Sequence, residues 1–63
     1  MGERIEYIEV HATHRIERPS HIVEEGELLE VHRAAFEDGD DLLLARHDGV
    51  EFSVRRYEVE LHA

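Results

Sequence analysis

Hydrophobic and polar residues alternate along the opening part of the chain. Ile8, Val10, Ala12, His14 and Ile16 share one parity, while Glu9, His11, Thr13, Arg15 and Glu17 share the other. A period of two over ten residues predicts a strand, Ile8 to Glu17, with one buried face. Ile5 and Tyr7 fall on the opposite parity, which predicts a bulge near Tyr7 or a strand packed on both sides. Arg18-Pro19-Ser20 interrupts the ladder, because proline has no N–H to donate. His21-Ile22-Val23 then returns toward the core ahead of a turn at Glu24-Glu25-Gly26. Near the other end, Asp41 to Arg46 is a short apolar strand that closes on His47-Asp48-Gly49, and Asp-Gly is a hairpin signal. Val50, Phe52 and Val54 alternate with Glu51, Ser53 and Arg55. The parity changes at Arg55-Arg56, after which Tyr57, Val59 and Leu61 are expected to point inward, and such a change needs a one-turn break or a bulge.

The middle segment, Leu28 to Phe36, fits two periods. Leu28, Val31, His32, Ala35 and Phe36 form a helical stripe with Gly39 as its cap. Leu29 and Val31 fit a strand. The strand is preferred because short strands joined by acidic and glycine-containing turns, without room for crossover helices, predict a mainly β chain closed as a small five-stranded barrel. The alternative is an α+β fold, a helix at about 27–37 packed on a three-stranded antiparallel sheet. Residues 1–63 are expected to form one domain, since chains of this length hold one core at most. The first strand is the longest and is the expected sheet edge, open to a partner strand.

The order of features resembles a Src-homology-three-like barrel. Glu24 to Val31 is similar to that family's diverging turn and second strand, and Asp41 to Arg46 to its third. Gly49 to Val54, followed by Arg55-Arg56-Tyr57-Glu58-Val59-Glu60-Leu61, is similar to its fourth strand, single 3₁₀ turn and closing strand. The resemblance implies a fold and not an activity. Leu42 and Leu43 stand where peptide-binding members carry paired aromatics, and Arg55-Arg56 replaces a proline-containing turn. Only Tyr57 has a counterpart, so proline-rich peptide binding is not carried over.

Charge changes the picture most. Sixteen carboxylates face seven cations for a net −9, and every cation is arginine. No basic run exceeds Arg55-Arg56, so nucleic acid is not an expected partner. Acid this dense without lysine suits a high-salt (halophilic) cytoplasm or a GC-rich genome. It also suits an acidic inhibitor that mimics nucleic acid, with Glu24, Glu25, Glu27, Glu37 and Asp38 as the phosphate-like row. There is no cysteine to form a disulfide, which favours a cytoplasmic setting. No apolar run is long enough for a membrane span. The start of the chain has neither the apolar stretch of a signal peptide nor, with Glu6 at the Ser/Thr position, a myristoylation pattern.

Candidate chemistry is sparse. Six histidines (His11, His14, His21, His32, His47 and His62) suggest a metal site, yet none pair at strand spacing, and His11 beside Glu9 is the nearest set. The expectation is solvated imidazoles with one semi-buried His14, and no metal or cofactor; a His/carboxylate metal-binding protein is the alternative. Thr13 or Ser53 with His11 or His47 does not form a recognisable nucleophile and base, so the chain is expected not to be an enzyme. The acidic loop from Glu37 to Asp41 lacks a calcium-loop pattern. Arg46, Arg55, Arg56 and Tyr57 are the candidate partner-binding residues, brought together by a barrel, with Glu51, Glu58 and Asp48 as expected ion-pair partners. The leading expectation is a non-enzymatic protein–protein interaction module that self-associates as a homodimer or binds a protein of unknown identity.

Overall fold

The structure is a computed structural model that describes residues 4–62; Met1 to Glu3, the start read above against leader and acylation patterns, lies outside the described residues. The chain is mainly β. Strands β1 (Tyr7–Ala12), β2 (Ile16–Arg18), β3 (His21–Val23) and β4 (Leu28–His32) precede a short helix α1 (Arg33–Glu37). Strands β5 (Leu42–His47) and β6 (Val50–Arg55), a 3₁₀ turn (Arg56–Glu58) and β7 (Val59–Leu61) complete it. Five strands form one antiparallel sheet in the order β6-β5-β4-β1-β7, and β2-β3 is a separate hairpin.

Inward positions follow the alternation. Val10 and Ala12 of β1, Leu29 and Val31 of β4, Leu43 and Ala45 of β5, and Val54 and Val59 are buried against Ile16 and Val23 of the hairpin. Ala35 and Phe36 of α1 and Phe52 of β6 close the margins of this core. One face of the sheet is thus covered by the hairpin, and the other is uncovered among the described residues. The β5–β6 turn has positive φ at both Asp48 and Gly49, 53° and 80°, the type I′ geometry whose twist matches a two-residue hairpin. Among the described residues, no helix is long and apolar enough to cross a membrane.

Several expectations are corrected. The sheet does not close into a barrel. A two-residue turn makes His47 and Val50 a hydrogen-bonded pair, so the backbone groups of Ser53 and Arg55 point away from β5. Side chains take them: Arg18 donates to the Ser53 carbonyl through Nη2 at 2.9 Å, and the Arg55 N–H donates to Glu58 Oε1 at 2.7 Å. With that edge occupied and the chain turned by the 3₁₀ segment, β7 pairs with β1 instead of β6. The long first strand breaks after Ala12, since Thr13 and His14 bend and β2 turns into the hairpin, so β1 is a central strand and not an edge. The segment 28–36 is strand to His32 and helix thereafter, which makes each reading of it correct over half its length. Tyr57 and Leu61 are exposed instead of inward. A 3₁₀ turn rotates successive side chains by about 120°, so strand parity does not carry through it. Leu61 is the last residue of β7.

Candidate functional site

The uncovered face of the sheet holds the residues best placed to meet a partner. On β5 the outward set is Leu42, Leu44 and Arg46, and on β6 it is Glu51, Ser53 and Arg55, all exposed. Leu42 and Leu44 are 54% and 38% exposed although they sit inside a paired strand. Their neighbours explain why. Across the β5–β6 register, Leu44 meets the small Ser53 and Leu42 meets Arg55, whose side chain is turned to Asp41. On the other side β4 pairs with β5 only at Glu30 and Val31, and its chain leaves the sheet as α1 beyond His32. Among the described residues, no large side chain therefore lies over the two leucines.

Both ends of this apolar strip are ionic. Arg46 Nε donates to Glu30 Oε1 at 2.8 Å, and its guanidinium lies over the Tyr7 ring, 3.7 Å from the centroid. The hydrogen bond to Glu30 is the largest of the influences raising the Arg46 pKa above its ordinary high value, so this cation is permanent at any pH the fold meets. A raised pKa loses its contribution only as pH climbs through that value, so this pair adds no pH dependence near neutrality. Tyr7 in turn brings its hydroxyl to 3.3 Å from His32 Nε2. At the far end Arg55 Nη1 donates to Asp41 Oδ2 at 2.8 Å.

The expected arginine cluster is not one patch. Arg46 and Arg55 share the outward face but lie four residues apart in register, about 13 Å at strand rise. Arg56 leaves that face and stacks its guanidinium 4.4 Å from the Phe36 centroid. Tyr57 lies beside His14, the rings near parallel with centroids 6.2 Å apart, and is 70% exposed. The ion-pair partners are Glu30 for Arg46 and Asp41 for Arg55, and none of the expected set of Glu51, Glu58 and Asp48. Glu58 instead pairs with Arg18, at 3.0 Å, and is the one charged residue buried among those described, 6% exposed.

The histidines also differ from expectation. His14 has a side chain 48% exposed, because the bend after Ala12 ends the inward parity. His47 is sheltered, with a side chain 10% exposed. Its Nδ1 is 2.7 Å from His21 Nε2 and its Nε2 is 3.0 Å from Glu27 Oε1. Nothing in local spacing reveals this set, since its members lie 26 and 20 residues apart and only the folded hairpin unites them.

A shallow groove of about 490 Å³ runs beside α1, between Ile5, His32 and Ala35. Arg4 and Arg33 line it together with Glu6, Asp38 and Asp40, so it selects no single sign of charge. No family model, curated protein or solved structure matches the chain.

Proposed function

We propose that this chain is a non-enzymatic protein–protein interaction module on a Src-homology-three-like scaffold, and that the outward β5–β6 face is its contact surface. The observation that carries the reading is the exposed Leu42–Leu44 strip on a strand paired with β6, held between the Arg46–Glu30 and Arg55–Asp41 pairs. Apolar side chains fixed on a rigid sheet lose little freedom on binding, and flanking charges set register more than affinity. The 3₁₀ turn between the last two strands and the hairpin between β1 and β4 support the scaffold part.

A second copy of the chain is the first partner to test. Glu30, Arg46 and Glu51 alternate in sign across three neighbouring strands. A two-fold apposition of this face sets arginines against carboxylates as well as leucines against leucines. A photo-crosslinking residue at position 44 tests the reading in the native cell, with one at the exposed position 25 as control. A discrete protein adduct at 44, to itself or to another chain, and none at 25 is expected. Equal or absent crosslinking at both positions overturns the contact surface.

A further inference from the structure

We propose that a proton shared between His21 and His47 latches the β2–β3 hairpin to the end of β5, and that acidification releases this latch. Among the described residues, no three ligating side chains are gathered that could hold a metal ion. The fold instead lines up three polar groups, Glu27, His47 and His21. His21 opens β3 and His47 ends β5. His21 Nε2 and His47 Nδ1 face each other 2.7 Å apart, with ring centroids 5.0 Å apart. Two nitrogens at that distance have room for one proton between them.

The partners fix where the protons sit. Glu27 Oε1 lies 3.0 Å from His47 Nε2, and a carboxylate only accepts, so that nitrogen carries a proton. The Nδ1 of a neutral His47 then has a lone pair, which accepts from His21 Nε2. A first added proton takes the outer nitrogen of His21, and the bridge survives. A second must go to His47 Nδ1, where it meets the His21 N–H head-on and sets two cations side by side. The bridge therefore holds at neutral pH and is lost as pH falls through the range where imidazoles charge.

The surrounding groups decide which ring leaves. Asp48 Oδ2, on the β5–β6 turn, is 3.7 Å from His47 Nδ1, and a small rotation of that exposed carboxylate brings it into hydrogen-bond range. A charged His47 then donates from both nitrogens to carboxylates, Glu27 on one side and Asp48 on the other. Charge-assisted bonds of this kind are the stronger ones, so His47 stays and His21 departs. His21 packs its ring on Phe52, with centroids 5.5 Å apart. Arg18, opposite His21 in the hairpin, is turned to Ser53 and Glu58 and holds the tip from its other side. Opening is thus local to the His21 corner.

Nuclear magnetic resonance of the nitrogen-15-labelled full chain, titrated from about pH 8 to about pH 5, tests the latch. At the upper pH a scalar coupling across the hydrogen bond should join His21 Nε2 to His47 Nδ1, and an Overhauser contact should join the His21 and Phe52 rings. Both should be lost together on acidification, while the amides of β1 and β4 keep their protection. Asp48→Asn removes the anion to which His47 turns, so the loss should shift to lower pH; asparagine tolerates the positive φ at this position. His21→Gln should leave the hairpin's remaining contacts insensitive to pH over this range, and if that variant loosens at every pH, Asp48→Asn alone decides. Absence of the coupling at the upper pH, its survival at the lower, an unmoved midpoint in Asp48→Asn, or loss of β1 and β4 protection in step with the hairpin contact would each overturn the latch.

Discussion

The strongest single-residue lock is Glu58. Its carboxylate is buried and accepts from the Arg55 N–H at 2.7 Å and from Arg18 Nη2 at 3.0 Å. Arg18 also reaches the Ser53 carbonyl, so one side chain ties the hairpin to β6 and to the 3₁₀ turn together. Replacing it leaves a carboxylate buried with its cation gone, which costs more than the bond itself is worth. Arg18→Met is expected to lower stability by about 2–3 kcal/mol in urea denaturation. In a double-mutant cycle with Glu58→Met, a coupling of about 1–3 kcal/mol is expected. A single-mutant loss below about 0.5 kcal/mol, the scale of an ordinary surface change, would show the pair to be ornamental. Gly49 illustrates a backbone lock instead. An added Cβ there meets no atom within 4 Å, yet φ is +80°. Gly49→Ala should therefore cost about 1–2 kcal/mol from conformation alone. D-alanine at the same position, accessible by chemical synthesis, should restore the stability.

Among the elements, the β2–β3 hairpin is both the lid of the core and its weakest part. Each of its strands has three residues, and Ile16 and Val23 are its buried contributions. Two exposed ends therefore hang on one apolar pair, Arg18 and the His21–His47 contact. Ile16→Ala should cost about 2–4 kcal/mol and Ile16→Val about 0.5–1.5 kcal/mol, because Ile16 is the largest side chain fully enclosed. Hydrogen exchange on Ile16→Val should show hairpin amides exchanging ahead of those of β1, β4 and β5. Simultaneous exchange of all of them would mean that the hairpin and sheet open as one unit. These same elements show what the sequence discloses. Strand β5 was legible as a short apolar run, β6 by its alternation and the turn between them by Asp48-Gly49, because all three signals are local. The hairpin hid inside a ten-residue alternation, since Ile16 keeps the parity of Val10 although the chain bends at Thr13-His14 between them. The break at His32 was equally hidden, because Val31 suits a strand and Ala35-Phe36 suit a helix, and both are true. The outward Leu42–Leu44 strip was invisible for a different reason: its exposure depends on how little its neighbours Ser53 and Arg55 cover. The Glu27–His47–His21 set depends wholly on contacts between distant segments.

At the scale of the whole molecule, sixteen carboxylates against seven arginines leave a net −9 on a body with a radius of gyration of 11.2 Å. On a body of this size the carboxylates stand closer to one another than in the expanded chain, so they repel more in the folded state, and 0.1 M salt, with a screening length of about 10 Å, screens that repulsion only in part. Raising salt to 1 M shortens that length to about 3 Å and should relieve the repulsion. The same screening weakens the exposed pairs, Arg46–Glu30 and Arg55–Asp41 among them. Exposed pairs contribute at most about 1 kcal/mol each, and Arg18–Glu58, the sheltered one, is screened least. Relief should therefore win, and the melting temperature should climb steadily from 0.1 to 1 M sodium chloride. Chloride is preferred to sulfate in this test, because sulfate also strengthens apolar burial and would confuse the two causes. Self-association through the β5–β6 face should strengthen over the same range, since two bodies of −9 must approach, and sedimentation at each salt concentration reads it separately. A melting temperature that stayed flat or fell would mean that the ion pairs outweigh the unpaired carboxylates, and that the acidity is not an adaptation to salt.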